Sequence, residues 1–332
     1  ESIMSPETIQ NDGPNGIYSY PLGQYANTDK TSTDPCAVDA NDPNLAYKFG
    51  TMANETVIAQ TFNKDLANEY GKICGNYSLW SNLTIFWGCG TNLHRSPYNA
   101  RNHEYYSEDA VLTSGQAVAF ISGGKEYGVI IAPKHLAFND TEINRLGVSV
   151  FMTEQQAREN ELRGTQASIE DAGALGIMTA FNRVGITAAN AHTGLLKNIL
   201  RGEWGFKGLE SQDFIMNPNY AVLKEYALNG GTMTTFTGEN TMAAVSEKFA
   251  YWTTENVGQD TELMSAIKQA MTWQAYALAN SNALDGMASS TRLVSVRTWY
   301  DNALVAVQVV FAALTVLAAA MYVLNDRKSK KQ

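Results

Sequence analysis

The densest chemistry in the chain lies in residues 92–109, NLHRSPYNARNHEYYSED, where two arginines, two histidines, Glu104, Glu108 and Asp109 crowd together without helical or strand periodicity. Such donors suit hydroxyls and carboxylates, and a solvated loop has the same composition. Lys134 and His135 follow the apolar run YGVIIAP. Charge at the end of a buried strand needs partners, either a ligand or a structural counter-ion. Asn182 and Arg183 follow GIMTAF, and Asp213 follows GLESQ. Asp12, in NDGPNG, reads as a turn residue.

The elements that must position these groups alternate. Residues 127–132 (YGVIIA), 148–152 (VSVFM) and 176–180 (GIMTA) are short apolar runs of the kind that form buried strands. Stretches 54–70, 112–122, 154–172, 194–201 and 260–279 carry apolar positions at three- and four-residue spacing and predict helices. Strand then helix, repeated, predicts an α/β domain with a parallel sheet, and a (β/α) barrel is the expected closure. In such barrels chemistry sits at the carboxyl ends of strands, where the polar clusters fall. Residues 24–42, rich in Asn, Asp, Thr and Pro, read as a long surface loop.

From 303 to 324 the chain has no charge and one strongly polar side chain, Gln308. At about 1.5 Å per residue this stretch crosses about 30 Å of hydrocarbon. Trp299 and Tyr300 precede it, and Arg327, Lys328, Lys330 and Lys331 follow. The positive-inside rule puts that tail in the cytoplasm and the globular body outside, on the cell surface. Residues 1–286 are then the barrel, 287–302 a linker, 303–324 a transmembrane helix and 325–332 a basic tail.

A net charge of −9 excludes nucleic acid as a natural partner. Cys36, Cys74 and Cys89 fit neither a disulfide framework nor a close-spaced zinc motif, and no metal or organic cofactor is expected.

The segments QTFNKDLANEYGK, NLHRSPYNARNHEYYSED, APKHLAFNDTEINR, IMTAFNRVG, ILRGEWGFKGLESQDF and ALANSNALDG resemble, in order, the motifs of the family 3 glycoside hydrolases. The resemblance runs over residues 10–286. It implies a TIM-like (β/α)8 barrel and an exo-acting, β-glucosidase-like enzyme that removes terminal non-reducing sugars with retention. Matched to GFKG-x(4)-D-aromatic, Asp213 takes the place of the nucleophile, with Phe214 as an apolar wall. The resemblance further implies that Asp12, Arg101, Lys134 and His135 hold the sugar's hydroxyls, that Phe181 borders the pocket, and that Glu104 and Arg145 support it.

Three departures bear on activity. Gln212 stands where the family has Ser or Thr, Glu210 where it has an apolar strand residue, and Phe181 where it often has Tyr. The general acid is also missing, since no second α/β domain follows the barrel motifs and LAFNDTE replaces the KH-x-PGHG loop. The first barrel strand and helix are expected to lie upstream of Glu1. A preceding domain or separate chain, in the reversed order of some bacterial members, is expected to carry the acid. The competing reading is a catalytically impaired sugar-binding or assembly protein on the cell surface.

Overall fold

Asn63 decides where the first long helix begins. Its side chain accepts from the backbone N–H groups of Asp65 and Leu66 at 2.9 and 3.2 Å, the geometry of an N-cap. The single helix expected over 54–70 is therefore two, α1 (Glu55–Ala59) and α2 (Lys64–Trp80), with Phe62 at a φ of 52° between them. The computed structural model of the chain describes residues 8–13, 52–81, 83–214, 222–234, 252–284 and 299–329. The loop 24–42, Cys36, Lys330 and Lys331 lie outside the described residues. Further helices are α3 (Ala110–Lys125), α4 (Arg163–Glu170), α5 (Leu223–Leu228), α6 (Thr261–Ala279) and α7 (Trp299–Ser329).

The strands in chain order are β1 (Ile9–Asp12), β2 (Leu83–Gly90), β3 (Ile130–Leu136), β4 (Ser149–Val150), β5 (Gly176–Thr179), β6 (Arg183–Val184), β7 (Thr187–Ala188) and β8 (Leu209–Gln212). Five of them form a parallel sheet in the order β1-β2-β3-β5-β8, so each strand lies beside its sequence neighbour in that sheet, as in the wall of a barrel. A bridge from Ser211 to Met233 extends this wall beyond β8. Among the described residues the wall counts five strands, not the eight of a closed barrel.

Every residue of β2 and β3 is buried. Phe86 and Ile131 point to one layer, with Tyr70 of α2 and Phe120 of α3. Ile85, Trp87, Ile130 and Ala132 point to the other, with Leu209 of β8 and Ala277 and Leu278 of α6. Helices α2 and α3 pack backbone to backbone. A methyl group at Gly71 would stand 2.0 Å from the carbonyl oxygen of Phe120, so glycine is required there.

Two strand expectations change. The run 148–152 is not a buried strand: β4 pairs with β6, and β6 with β7, in a separate small sheet, and Phe151 is 71% exposed. A short apolar run alone does not tell a core strand from a surface strand. The strand expected over 127–132 begins later, at Ile130, after a turn in which Gly128 takes a φ of 73°, and continues through Lys134 and His135. Those two residues belong to the strand rather than to the loop after it.

Helix α7 belongs to a second unit, residues 289–332. Its stretch Trp299–Met321 is long and apolar enough to cross a membrane, with a mean hydropathy of 2.4 and none of that window buried.

Candidate active site

The ends of β1, β2, β3 and β8 deliver the polar groups to one place. Asp12 closes β1, so it is the last residue of a strand and not only a turn residue. Lys134 sits near the end of β3 with its side chain only 2% exposed, and its amino group reaches Asp12 Oδ1 at 2.5 Å and Glu104 Oε1 at 2.6 Å. Burial opposes a charged lysine, but the two carboxylates outweigh it and hold the ammonium above its ordinary range. Glu104 also takes a forked pair from Arg101, Nε to Oε2 at 2.7 Å and Nη2 to Oε1 at 2.8 Å. Burial would raise the Glu104 carboxyl, yet Lys134 and Arg101 drive it well below the usual carboxylate range.

His135 is held from two sides. Asn92 exchanges two hydrogen bonds with its backbone, Asn92 Oδ1 accepting from the N–H at 2.8 Å and Nδ2 donating to the carbonyl at 2.9 Å. Arg101 Nη2 lies 3.1 Å from His135 Nε2, which makes Nε2 the acceptor and assigns the ring proton to Nδ1, facing Asn92 Oδ1 at 3.3 Å. Burial, then the nearby Arg101 and Lys134, push the imidazole well below its normal pKa, so it is neutral. Its Nε2 approaches Asp213 Oδ2 to 3.7 Å, too long for a hydrogen bond.

Asp213 follows β8, its backbone N–H donating to the Thr179 carbonyl at 3.2 Å. Its carboxylate accepts from the N–H of Phe214 at 2.8 Å. Burial raises its pKa to about 6, and the Phe214 N–H and the charges of Arg101, Lys134 and Arg145 work against that rise. Arg145 pairs with Glu142 at 2.7 Å and lies over the ring of Phe181, 4.4 Å from its centroid. Phe214 itself is 38% exposed. The candidate residues Asp12, Arg101, Glu104, Lys134 and His135 are thus linked side chain to side chain, and Asp213 faces His135 at 3.7 Å. Asn92, Tyr105, Asn139 and Glu142, which hold them, carry no periodicity that marks them, though all four lie inside or beside the motifs quoted above.

The departures at Glu210 and Gln212 fall on the opposite face of β8 from Asp213. Asn190 Nδ2 donates to Gln212 Oε1 at 2.5 Å, and Tyr226 Oη bonds the Gln212 N–H at 3.0 Å. Glu210 is fully buried, accepts from Thr179 Oγ1 at 3.0 Å, and leaves its Oε2 without a hydrogen bond. Burial raises its pKa to about 7. Since the folded pKa exceeds the unfolded value, this group's contribution is full below about pH 4.5 and is lost as pH climbs through about 7. The effect of Glu210→Gln on stability is therefore roughly 3 kcal/mol more favourable at pH 7.5 than at pH 4.5. Thermal unfolding at pH 4.5 and 7.5 checks this, and an equal midpoint shift at both pH values would contradict it.

Known proteins resemble this chain in sequence and fold. Residues 44–232, more than half of the chain, match the Glycosyl hydrolase family 3 N terminal domain. A probable beta-glucosidase J of Emericella nidulans is 35% identical over 159 residues, 48% of this chain and 19% of that protein. A beta-glucosidase of Rhizobium radiobacter is 29% identical over 214 residues, 64% of this chain and 24% of that protein. The structure of beta-glucosidase 3B from Thermotoga neapolitana in complex with glucose superposes with a TM-score of 0.70 at 25% identity, over 84% of this chain and 36% of that one. The chain spans about a fifth of the length of the curated relatives it matches. With a parallel wall of strands, the charged cluster at its carboxyl ends and the matching domain in agreement, the chain belongs to glycosyl hydrolase family 3.

Proposed function

We propose that this domain is the nucleophile-bearing part of a retaining, exo-acting β-glucosidase. The observation that carries the reading is Asp213: a buried carboxylate beside a neutral histidine and within the field of three cations, in a family 3 domain. In the first step an Asp213 oxygen attacks the anomeric carbon, the bond to the leaving oxygen breaks, and a glycosyl-enzyme forms. In the second, water takes the sugar off Asp213. Asp12 accepts sugar hydroxyls, while Arg101 and Lys134 donate to sugar oxygens. His135 contributes a neutral ring, and Phe181 and Phe214 supply apolar walls.

In the two-carboxyl scheme the leaving group is protonated by a carboxylic acid about 5 Å from the nucleophile. The carboxylates around the pocket are committed: Asp12 and Glu104 to Lys134, and Glu142 to Arg101 and Arg145. The acid of this proposal therefore comes from a polypeptide segment other than the described residues. No metal or organic cofactor enters the scheme.

Dinitrophenolate leaves without a proton, so 2,4-dinitrophenyl 2-deoxy-2-fluoro-β-glucoside tests the nucleophile independently of the acid. The expected result is a covalent adduct mapped to Asp213. Reversible sugar binding without an adduct would instead favour the impaired sugar-binding reading raised by Gln212 and Glu210.

We also propose that residues 303–324 anchor the domain in the cell membrane, the body outside and the basic tail inside. The support is the apolar stretch in α7 and the flanking Trp299, Tyr300 and Arg327. Under alkaline carbonate extraction the full chain is expected to stay with the membranes. Recovery in the supernatant would sink the anchor.

A further inference from the structure

Two of the cations that face Asp213 come from different segments, Arg101 from the loop after β2 and Arg145 from the loop after β3. Both carry positive charge at the same pocket edge, where they repel. Arg101 is already tied to Glu104, and Glu104 is shared with Lys134, so that carboxylate is committed.

Glu142 stands between the two. Its Oε1 faces Arg101 Nη1 at 3.4 Å and accepts from Asn139 Nδ2 at 3.0 Å, while its Oε2 takes Arg145 Nη1 at 2.7 Å. The same Asn139 amide donates to Tyr105 Oη at 2.8 Å, and that hydroxyl lies 3.4 Å from His135 Nδ1. The three charged side chains are 17 to 24% exposed, so they line the mouth of the pocket rather than its floor.

We infer that Glu142 is a positioning residue of the sugar pocket, whose carboxylate couples Arg101 to Arg145 and keeps both cations turned toward the sugar and Asp213. This rests on the retaining-glycosidase reading of the site. Glu142 touches no reacting atom. It acts by cancelling the repulsion between two guanidinium groups and fixing Arg145 over Phe181, as a supporting side chain fixes the groups that bind. Without it the repulsion between the two guanidinium groups is uncancelled, and the pocket edge loses its preset geometry rather than its fold.

The test uses the full chain and the dinitrophenyl fluoro-glucoside, reading the inactivation constants KI and kinact separately. Glu142→Ala is expected to raise KI and lower kinact/KI about 10- to 100-fold, the size of effect that a displacement of about 1 Å produces. Its unfolding midpoint should stay close to that of the unmodified chain. Glu142→Asp, which retains the charge, should recover part of the loss. Because Glu142 acts through Arg145, the double variant Glu142→Ala/Arg145→Ala should be no worse than the poorer single variant. Labelling of Glu142→Ala at the normal rate, or single losses that multiply in the double variant, would overturn the inference. If Glu142→Ala does not fold, Glu142→Asp decides the matter: an intermediate KI supports the role and an unchanged KI refutes it. An unmodified chain that takes no label at Asp213 refutes the glycosidase reading itself, a different outcome from a labelled chain with unmoved variants.

Discussion

Asp213→Ala is expected to lose about 10⁴- to 10⁶-fold in turnover of 2,4-dinitrophenyl β-glucoside, the usual scale for removing a nucleophile. Binding of the sugar should survive, because Asp12, Lys134 and Arg101 hold one another without Asp213. The pH profile of the unmodified chain carries the same assignment. Attack needs the ionised carboxylate, whose pKa burial raises to about 6. The rate should therefore fall tenfold per unit below about pH 6. His135 is neutral across that range and adds no limb of its own. Turnover by Asp213→Ala within tenfold of normal, or an acid limb that persists in a variant with another nucleophile, would remove Asp213 from the role.

Lys134→Ala should damage both stability and binding. The lysine is 2% exposed and serves two carboxylates at 2.5 and 2.6 Å, so its loss leaves Asp12 and Glu104 facing each other across a cavity. Breaking a buried pair in this way costs about 3–5 kcal/mol. The sign of the pH response separates this from simple loss of packing. In the unmodified chain Glu104 has a depressed pKa, so the stability it contributes is present above the unfolded value and fades in acid. In Lys134→Ala part of that depression is gone, and acid should be less harmful than in the parent. Unfolding midpoints at about pH 3 and 7.5 read both effects, since the Glu104 contribution fades only below about pH 4.5, and an unchanged midpoint at pH 7.5 would contradict the pair's role. Arginine is a poor replacement, since its planar fork does not fit a point-charge site between two carboxylates.

Much of this site was legible in the sequence because its members sit in dense motifs or directly beside apolar runs. Lys134, His135 and Asp213 stand out against their strands, and Arg101 and Glu104 lie in a stretch where charge density alone draws notice. The groups that hold them were harder to see. Asn92 and Asn139 are polar residues in loops, and only the fold reveals that one fixes the His135 backbone while the other bridges Tyr105 and Glu142. In the fold, β3 reads as an apolar run because both faces are covered, and at β2, where no strand was expected, the same cover hides the alternation that assigns Phe86 to one layer and Trp87 to the other. The break at Asn63 had a readable cap signal, Asn followed two residues later by Asp65, that apolar periodicity over 54–70 overrode. At VSVFM the short apolar run misled, since a surface strand and a core strand share it.

Strand β1 has one further consequence. Among the described residues its one strand neighbour is β2, across a sequence gap from Asp12 to Leu83, and it is pinned by Trp87 Nε1–H to Gln10 Oε1 at 2.8 Å and by the ion pair from Lys134 to Asp12. The intervening chain holds α1 and α2, so β1 docks through non-local contacts whose closure entropy must be offset before they form. In the glycosidase reading Asp12 on this strand binds the sugar, so saccharide and docked strand would stabilise each other reciprocally, as any two partners of one binding equilibrium must. Affinity at this pocket is in that sense partly a folding equilibrium.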